Sequence, residues 1–235
     1  MSPFISEFIG TAILIILGNG VVANVVLNKT KGNQGGWIVI TFGWAIAVFV
    51  AVYIAAKGSG AHLNPAVSLA LAIVGKMEWS QIPTYVTAQI SGAMMGQLFV
   101  WMAYRNHYAV TENKDFILAT FSTSPAIPNS FSNFMSEMIG TLILTIGVLF
   151  IVSPSSSLGS LDALPVALLV LGIGLSLGGA TGYAINPARD LGPRIVHQLL
   201  PLKYKGTSEW QYSWIPIAGP LTGSVLGSLI FKLIL

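Results

Sequence analysis

Two short stretches carry most of the chemistry this chain offers: Ser59-Gly60-Ala61-His62-Leu63-Asn64-Pro65-Ala66 and Gly182-Tyr183-Ala184-Ile185-Asn186-Pro187-Ala188-Arg189-Asp190. Asparagine suits the cap of a helix and proline its first turn, so each Asn-Pro predicts a helix start. The residues just before, 60–63 and 182–185, are predicted to be extended, with carbonyls that no helix uses. If the two starts face each other inside a membrane, two positive dipole ends converge there. Each Asn amide then donates into the lumen while its oxygen secures the cap. A row of carbonyls ends at those donors: Gly60, Ala61, His62 and Leu63 on one side, Gly182, Tyr183 and Ala184 on the other. Such a row guides a neutral hydrogen-bonding solute, and the positive midpoint opposes cations and protons. Arg189 has only Val67 as its counterpart, so this guanidinium is an asymmetric set of fixed donors.

Other polar groups admit more than one reading. Glu7 and Glu137 lie inside apolar runs, where a lone carboxylate is costly. They form either a proton relay or acceptors for the backbone N–H groups of the two loops; their matching placement favours the second. A snorkelling surface arginine is a better reading of Arg194 than of Arg189, and His62 reads as a loop-packing residue rather than a metal ligand. No two-histidine spacing links His62 with His107 or His197, and cysteine is absent, so neither a metal site nor a disulfide is expected. Ser59 and His62 could be a nucleophile and base, but they lack a Gly-x-Ser-x-Gly turn, and the chain reads as a non-enzyme without cofactor.

The elements that must hold these residues are membrane spans. Of 235 residues 54% are hydrophobic and 8% charged, against roughly 25% charged in soluble proteins. That excludes a large soluble domain and a nucleic-acid-binding chain. The net charge of +3 says little about partners when charges are so few. Full spans are predicted at 5–27, 37–56, 82–104, 134–152, 163–177 and from 214 onward. The apolar stretches after the two Asn-Pro pairs, to about 74 and 200, are too short to cross a bilayer of roughly 30 Å. The first span carries an acid and no preceding basic residue, so it reads as retained rather than a cleaved leader.

The chain also repeats itself. Residues 4–16 match 134–146 at nine of thirteen positions, Gly60-x-x-x-Asn64-Pro65-Ala66 matches Gly182-x-x-x-Asn186-Pro187-Ala188, and Gly92-x-x-x-Gly96 aligns with Gly219-x-x-x-Gly223. The offsets are 130, 122 and 127. Three spans per half mean that the second half enters from the opposite side, giving inverted repeats whose broken segments meet at the midplane. The expected architecture is one all-α channel domain, 1–235, of six transmembrane helices plus two re-entrant half-helices. Its first repeat is 1–105, its connecting loop 106–130 and its second repeat 131–235.

With these motifs the whole chain resembles the major intrinsic proteins, the aquaporin and aquaglyceroporin family. The resemblance implies passive transport, one pore per subunit, usually in homotetramers, in the lipid bilayer of a cell membrane with both termini cytoplasmic. Distance from the Asn-Pro-Ala boxes places the family's selectivity filter at Trp44, Gly174, Tyr183 and Arg189. Water-selective members usually carry histidine where Gly174 stands, so glycine widens the filter; Asp190 also looks like the glycerol-facilitator branch. Many glycerol facilitators have Phe in place of Tyr183, and a tyrosine hydroxyl pointing inward narrows the filter. The implied solutes are glycerol and water, with dihydroxyacetone, urea or protonated lactic acid as alternatives and a proton-coupled transporter as a remote one. A bacterial plasma membrane is expected. The lysines oppose the family orientation: Lys57, Lys76 and Lys232 would be inside, against eight Lys/Arg outside.

Overall fold

The structure, a computed structural model, describes residues 1–151 and 159–234. Among these the chain is helical, without strands: α1 Pro3–Val26, α2 Gly36–Ser59, α3 Pro65–Ile73, α4 Ile82–Val110, α5 Lys114–Ala119, α6 Ser130–Ile151, α7 Leu164–Leu177, α8 Pro187–Leu199 and α9 Ile215–Ile234. Four helices (α1, α2, α6 and α9) are long and apolar enough to cross a membrane. The 29-residue α4 is longer but more polar, because it carries Gln89, Gln97 and Arg105. Large apolar side chains such as Ile38, Phe42, Ile46, Phe99, Met102 and Leu168 are exposed, as lipid-facing residues must be. The nine residues of α3 and thirteen of α8 make rods of about 14 and 20 Å, short of a bilayer.

Packing follows the repeat. α1 lies against α2 and α4, and α6 lies against α7 and α9. Each half-helix packs chiefly on the last long helix of the other half, α3 on α9 and α8 on α4. Glycines permit the closest crossings, and they correct the sequence alignment. A Cβ on Gly92 would collide with the Phe8 carbonyl, and one on Gly223 with the Met138 carbonyl; Phe8 and Met138 are repeat equivalents. A Cβ on Gly96 would meet Ala12 and Ile15, and one on Gly227 would meet their equivalents Leu142 and Thr145. The true pairs are therefore Gly92 with Gly223 and Gly96 with Gly227, at an offset of 131 rather than 127. The sequence offered a Gly-x-x-x-Gly match one turn too early, and only the facing helix distinguishes the two.

The stretch read as one long loop is more ordered than its polarity suggests. α4 runs on through Arg105 to Val110, because Tyr108 is buried against Phe121, rings 5.7 Å apart. Asn113 then caps the short α5, accepting from Asp115 N and Phe116 N. α6 starts at Ser130, four residues before the predicted span. Most of the Ser-rich connection expected at 153–162 lies outside the described residues.

Candidate functional site

The two re-entrant loops share one backbone path. Gly60, Ala61 and Leu63 have φ of 80°, 53° and 53°; Gly182, Tyr183 and Ile185 have 83°, 39° and 42°. Four non-glycine residues thus sit in the left-handed region, at a cost of about 1–3 kcal/mol each. Buried carboxylates hold them there. Glu7 accepts from Ser59 Oγ (2.6 Å), His62 N (2.9 Å), Leu63 N (2.7 Å) and Gln89 Nε2 (2.7 Å). Glu137 accepts from Thr181 Oγ1 (2.7 Å), Ala184 N (2.9 Å) and Ile185 N (2.8 Å). Both glutamates are fully buried and neither lies on the cavity wall.

The half-helix starts meet as the loops end. Asn64 Oδ1 caps Ala66 N at 2.9 Å, and Asn186 Oδ1 caps Ala188 N at 3.0 Å and Arg189 N at 3.2 Å. Pro65 and Pro187 occupy the first turns. The amides also cross: Asn64 Nδ2 donates to Ile185 O and Asn186 Nδ2 to Leu63 O, both at 2.8 Å. The sequence reading aimed both amides at the lumen and left the Leu63 carbonyl free. Instead, one N–H of each amide ties the two loops together, and one remains for the cavity. Ala66 and Ala188 are fully buried in the first turns of the half-helices.

A cavity of about 280 Å³ runs past this junction. Its wall includes residues 60–64, 183–186, Trp44 and Arg189, together with the apolar Val48, Val148 and Val170. Gly174 and Gly182 are not on this wall. Gly174 nonetheless shapes it: a Cβ there would lie 2.9 Å from Tyr183 Cζ and 3.1 Å from Thr41 Cγ2. The space that glycine leaves is filled by the tyrosine ring, which is also T-stacked on Trp37 with centroids 5.7 Å apart. The Tyr183 hydroxyl is buried without a protein partner.

Arg189 lies over the Trp44 ring, Cζ 4.4 Å from the centroid, and Nη1 reaches the Phe121 carbonyl at 3.4 Å. Phe121 comes from the connecting segment, which sequence reasoning had passed over; nothing in its residue type signals that contribution. Asp190 does not neutralise Arg189. It pairs with Arg194 at 2.8 Å and accepts from Thr123 N and Oγ1. Arg194 is fully buried, not a snorkelling surface residue, and also donates to the carbonyls of Thr123 and Ser208. The ion pair occupies the acid, so the guanidinium on the cavity wall has no carboxylate hydrogen-bonded to it. His62, read as a loop-packing residue, packs its ring on Tyr85 with centroids 4.6 Å apart and sets Nδ1 3.0 Å from Ser68 Oγ, and the residue also lines the cavity. Among the described residues no group of three or more His, Cys, Asp or Glu could hold a metal ion.

Long helices around a cavity into which two half-helices direct their N-termini define a membrane channel. The chain belongs to the major intrinsic protein family, whose model matches residues 1–231. It is 53% identical over 235 residues to the glycerol uptake facilitator protein of Streptococcus pneumoniae (strain ATCC BAA-255 / R6), covering 99% of each chain. It is 51% identical over 232 residues to the probable glycerol uptake facilitator protein of Thermotoga maritima, again covering 99% of each. Among solved structures, the aquaglyceroporin from Plasmodium falciparum superposes with a TM-score of 0.87 at 35% identity, over 98% of this chain and 94% of that one.

Proposed function

We propose that this protein is a passive channel for glycerol and other small neutral solutes, and for water. One observation carries the reading: Arg189, the aromatic residues Trp44 and Tyr183, and residues of both re-entrant loops share one cavity wall. A polyol presents hydroxyls along one edge and carbon along the other, and this wall offers matching halves. Trp44, Gly174, Tyr183 and Arg189 act as the selectivity filter; Gly60 to His62, with Tyr183 and Ala184, supply carbonyls; Asn64 and Asn186 supply amide donors; Glu7 and Glu137 keep the loops in shape. The names of the bacterial relatives support glycerol as solute. Proton coupling through the glutamates is disfavoured, because both face backbone donors and not the cavity.

Glycerol and water flux in proteoliposomes, read by stopped-flow swelling, test the proposal. Glycerol permeability no higher than that of protein-free vesicles refutes it. We place the protein in a bacterial plasma membrane as a homotetramer with both termini cytoplasmic. The native chain lacks cysteine, so single cysteines introduced at the C-terminal end of α8 should label from outside; labelling only from inside reverses the orientation.

A further inference from the structure

His62 brings an imidazole to the cavity wall near the end of α2. Trp44 lies fifteen residues before Ser59, the last residue of that helix, so that end of α2 is about 22 Å from Trp44 along the axis. Which ring nitrogen of His62 carries the proton decides whether the solute meets a donor or an acceptor there. A chain of buried hydrogen bonds settles the choice.

The chain starts at Glu7, whose oxygens receive four donors: Ser59 Oγ, His62 N, Leu63 N and Gln89 Nε2. A carboxylate so placed offers lone pairs only, so the Gln89 amide must turn its N–H groups, not its carbonyl, toward it. The same Nε2 donates to Ser68 Oγ at 3.1 Å. Ser68 is fully buried. Its hydroxyl proton therefore needs an acceptor of its own, and His62 Nδ1 stands 3.0 Å away. With Nδ1 accepting, the proton of the neutral ring sits on Nε2. That nitrogen has no hydrogen bond to protein and is not among the buried unpartnered atoms, so it is open to the cavity.

We propose that Glu7, Gln89 and Ser68 are positioning residues that lock His62 in its Nε2–H form, making it a fixed donor to the passing solute. The inference rests on the channel reading of the cavity. It belongs to one half of the repeat alone: at the 122-residue offset, His62 and Ser68 become Ala184 and Asp190. Glu7 therefore does a second job that Glu137 does not. The pore acquires a side-chain donor at each end, His62 and Arg189, with the two asparagines between.

The test is ring nitrogen NMR on the full-length protein in lipid nanodiscs, labelled with 15N-histidine. Three histidines are present, and variants of His107 and His197 assign the third. His62 is expected as a single neutral form protonated at Nε2. A native ring protonated mainly at Nδ1 overturns the proposal without any variant. Ser68→Ala and Gln89→Leu should each admit the other tautomer, and Ser68→Thr, which keeps the hydroxyl, should restore the single form. An unmixed Nε2–H signal in both Ser68→Ala and Gln89→Leu overturns the relay. Glycerol flux in Ser68→Ala should fall about 2- to 10-fold, the worth of one hydrogen bond; unchanged flux removes His62 as a solute donor. Absent flux in the native protein refutes the channel reading instead, independently of the spectrum.

Discussion

Gly174 offers the sharpest perturbation, because the structure says what a single methyl would strike. The Cβ of Gly174→Ala would stand 2.9 Å from Tyr183 Cζ, 3.1 Å from Tyr183 Cε2 and 3.1 Å from Thr41 Cγ2. Ordinary carbon contacts are about 3.5–4.0 Å, so the overlap is roughly 0.5–1 Å. Tyr183 has little room to retreat. Trp37 packs across its ring, and its left-handed backbone (φ 39°) is pinned through Ala184 N on Glu137. The remaining direction is toward the cavity that the ring already lines. Overpacking of this kind costs about 1–3 kcal/mol. Expressed as a barrier to a solute that fills the constriction, that is about a 5- to 150-fold loss of glycerol permeability. Water is smaller and should lose far less, and Gly174→His should extend the same bias. Stopped-flow swelling of one proteoliposome preparation under glycerol and under sucrose gradients gives both permeabilities. Equal fractional losses of glycerol and water, or no loss of glycerol, would refute the assignment of Gly174 and Tyr183 to the filter.

Four further outcomes follow from the buried polar groups. Arg194→Met strands Asp190 at 1% exposure and should cost about 3–5 kcal/mol in thermal unfolding; adding Asp190→Asn should recover part of it, whereas a change within ~0.5 kcal/mol would make Arg194 an ordinary surface residue. Glu137→Ala leaves Ala184 N, Ile185 N and Thr181 Oγ1 without their acceptor, at about 1–3 kcal/mol each, and should lower both melting temperature and glycerol flux. In the native protein, a pH gradient of either sign should leave glycerol flux unchanged, and gradient-driven uptake would return the glutamates to a proton relay. Asn186→Asp replaces the donor to Leu63 O with an acceptor and puts negative charge where two helix N-termini meet; a cation conductance should appear, and its absence in planar-bilayer recordings would argue against an electrostatic barrier there.

Most of the architecture was legible because it depends on local chemistry. Span length and scarce charge identify a bilayer protein, and Asn-Pro marks a helix start wherever it stands. The positions of Glu7 and Glu137 repeat with the loops, which made loop support the better reading before any distance was known. The errors share another cause. Arg194 looked like a surface residue because its residue type usually is one; what buries it is a set of carbonyls from Thr123 and Ser208, 71 and 14 residues away in the chain. The glycine register slipped one turn because Gly219, Gly223 and Gly227 are equally spaced and only the partner helix tells them apart. Gly174 was read as widening the filter from its lack of a side chain; that the Tyr183 ring packs against it is a tertiary contact no residue type announces.

The sequence by itself determined the class of molecule: a helical membrane protein made of two inverted halves, with two broken segments bearing asparagine caps and one unmatched arginine. Period, length and composition suffice for that, since a bilayer forces every backbone group into a helix unless a buried partner satisfies it. Only the tertiary structure decided which groups keep their chemistry free. Asp190 is spent on Arg194 and leaves the Arg189 guanidinium to the cavity wall; one N–H of each asparagine is spent on the opposite loop; Gln89 and Ser68 orient an imidazole from a helix away. Hydrogen-bonding capacity is finite, and its division among donors and acceptors is settled by which atoms folding brings within about 3 Å.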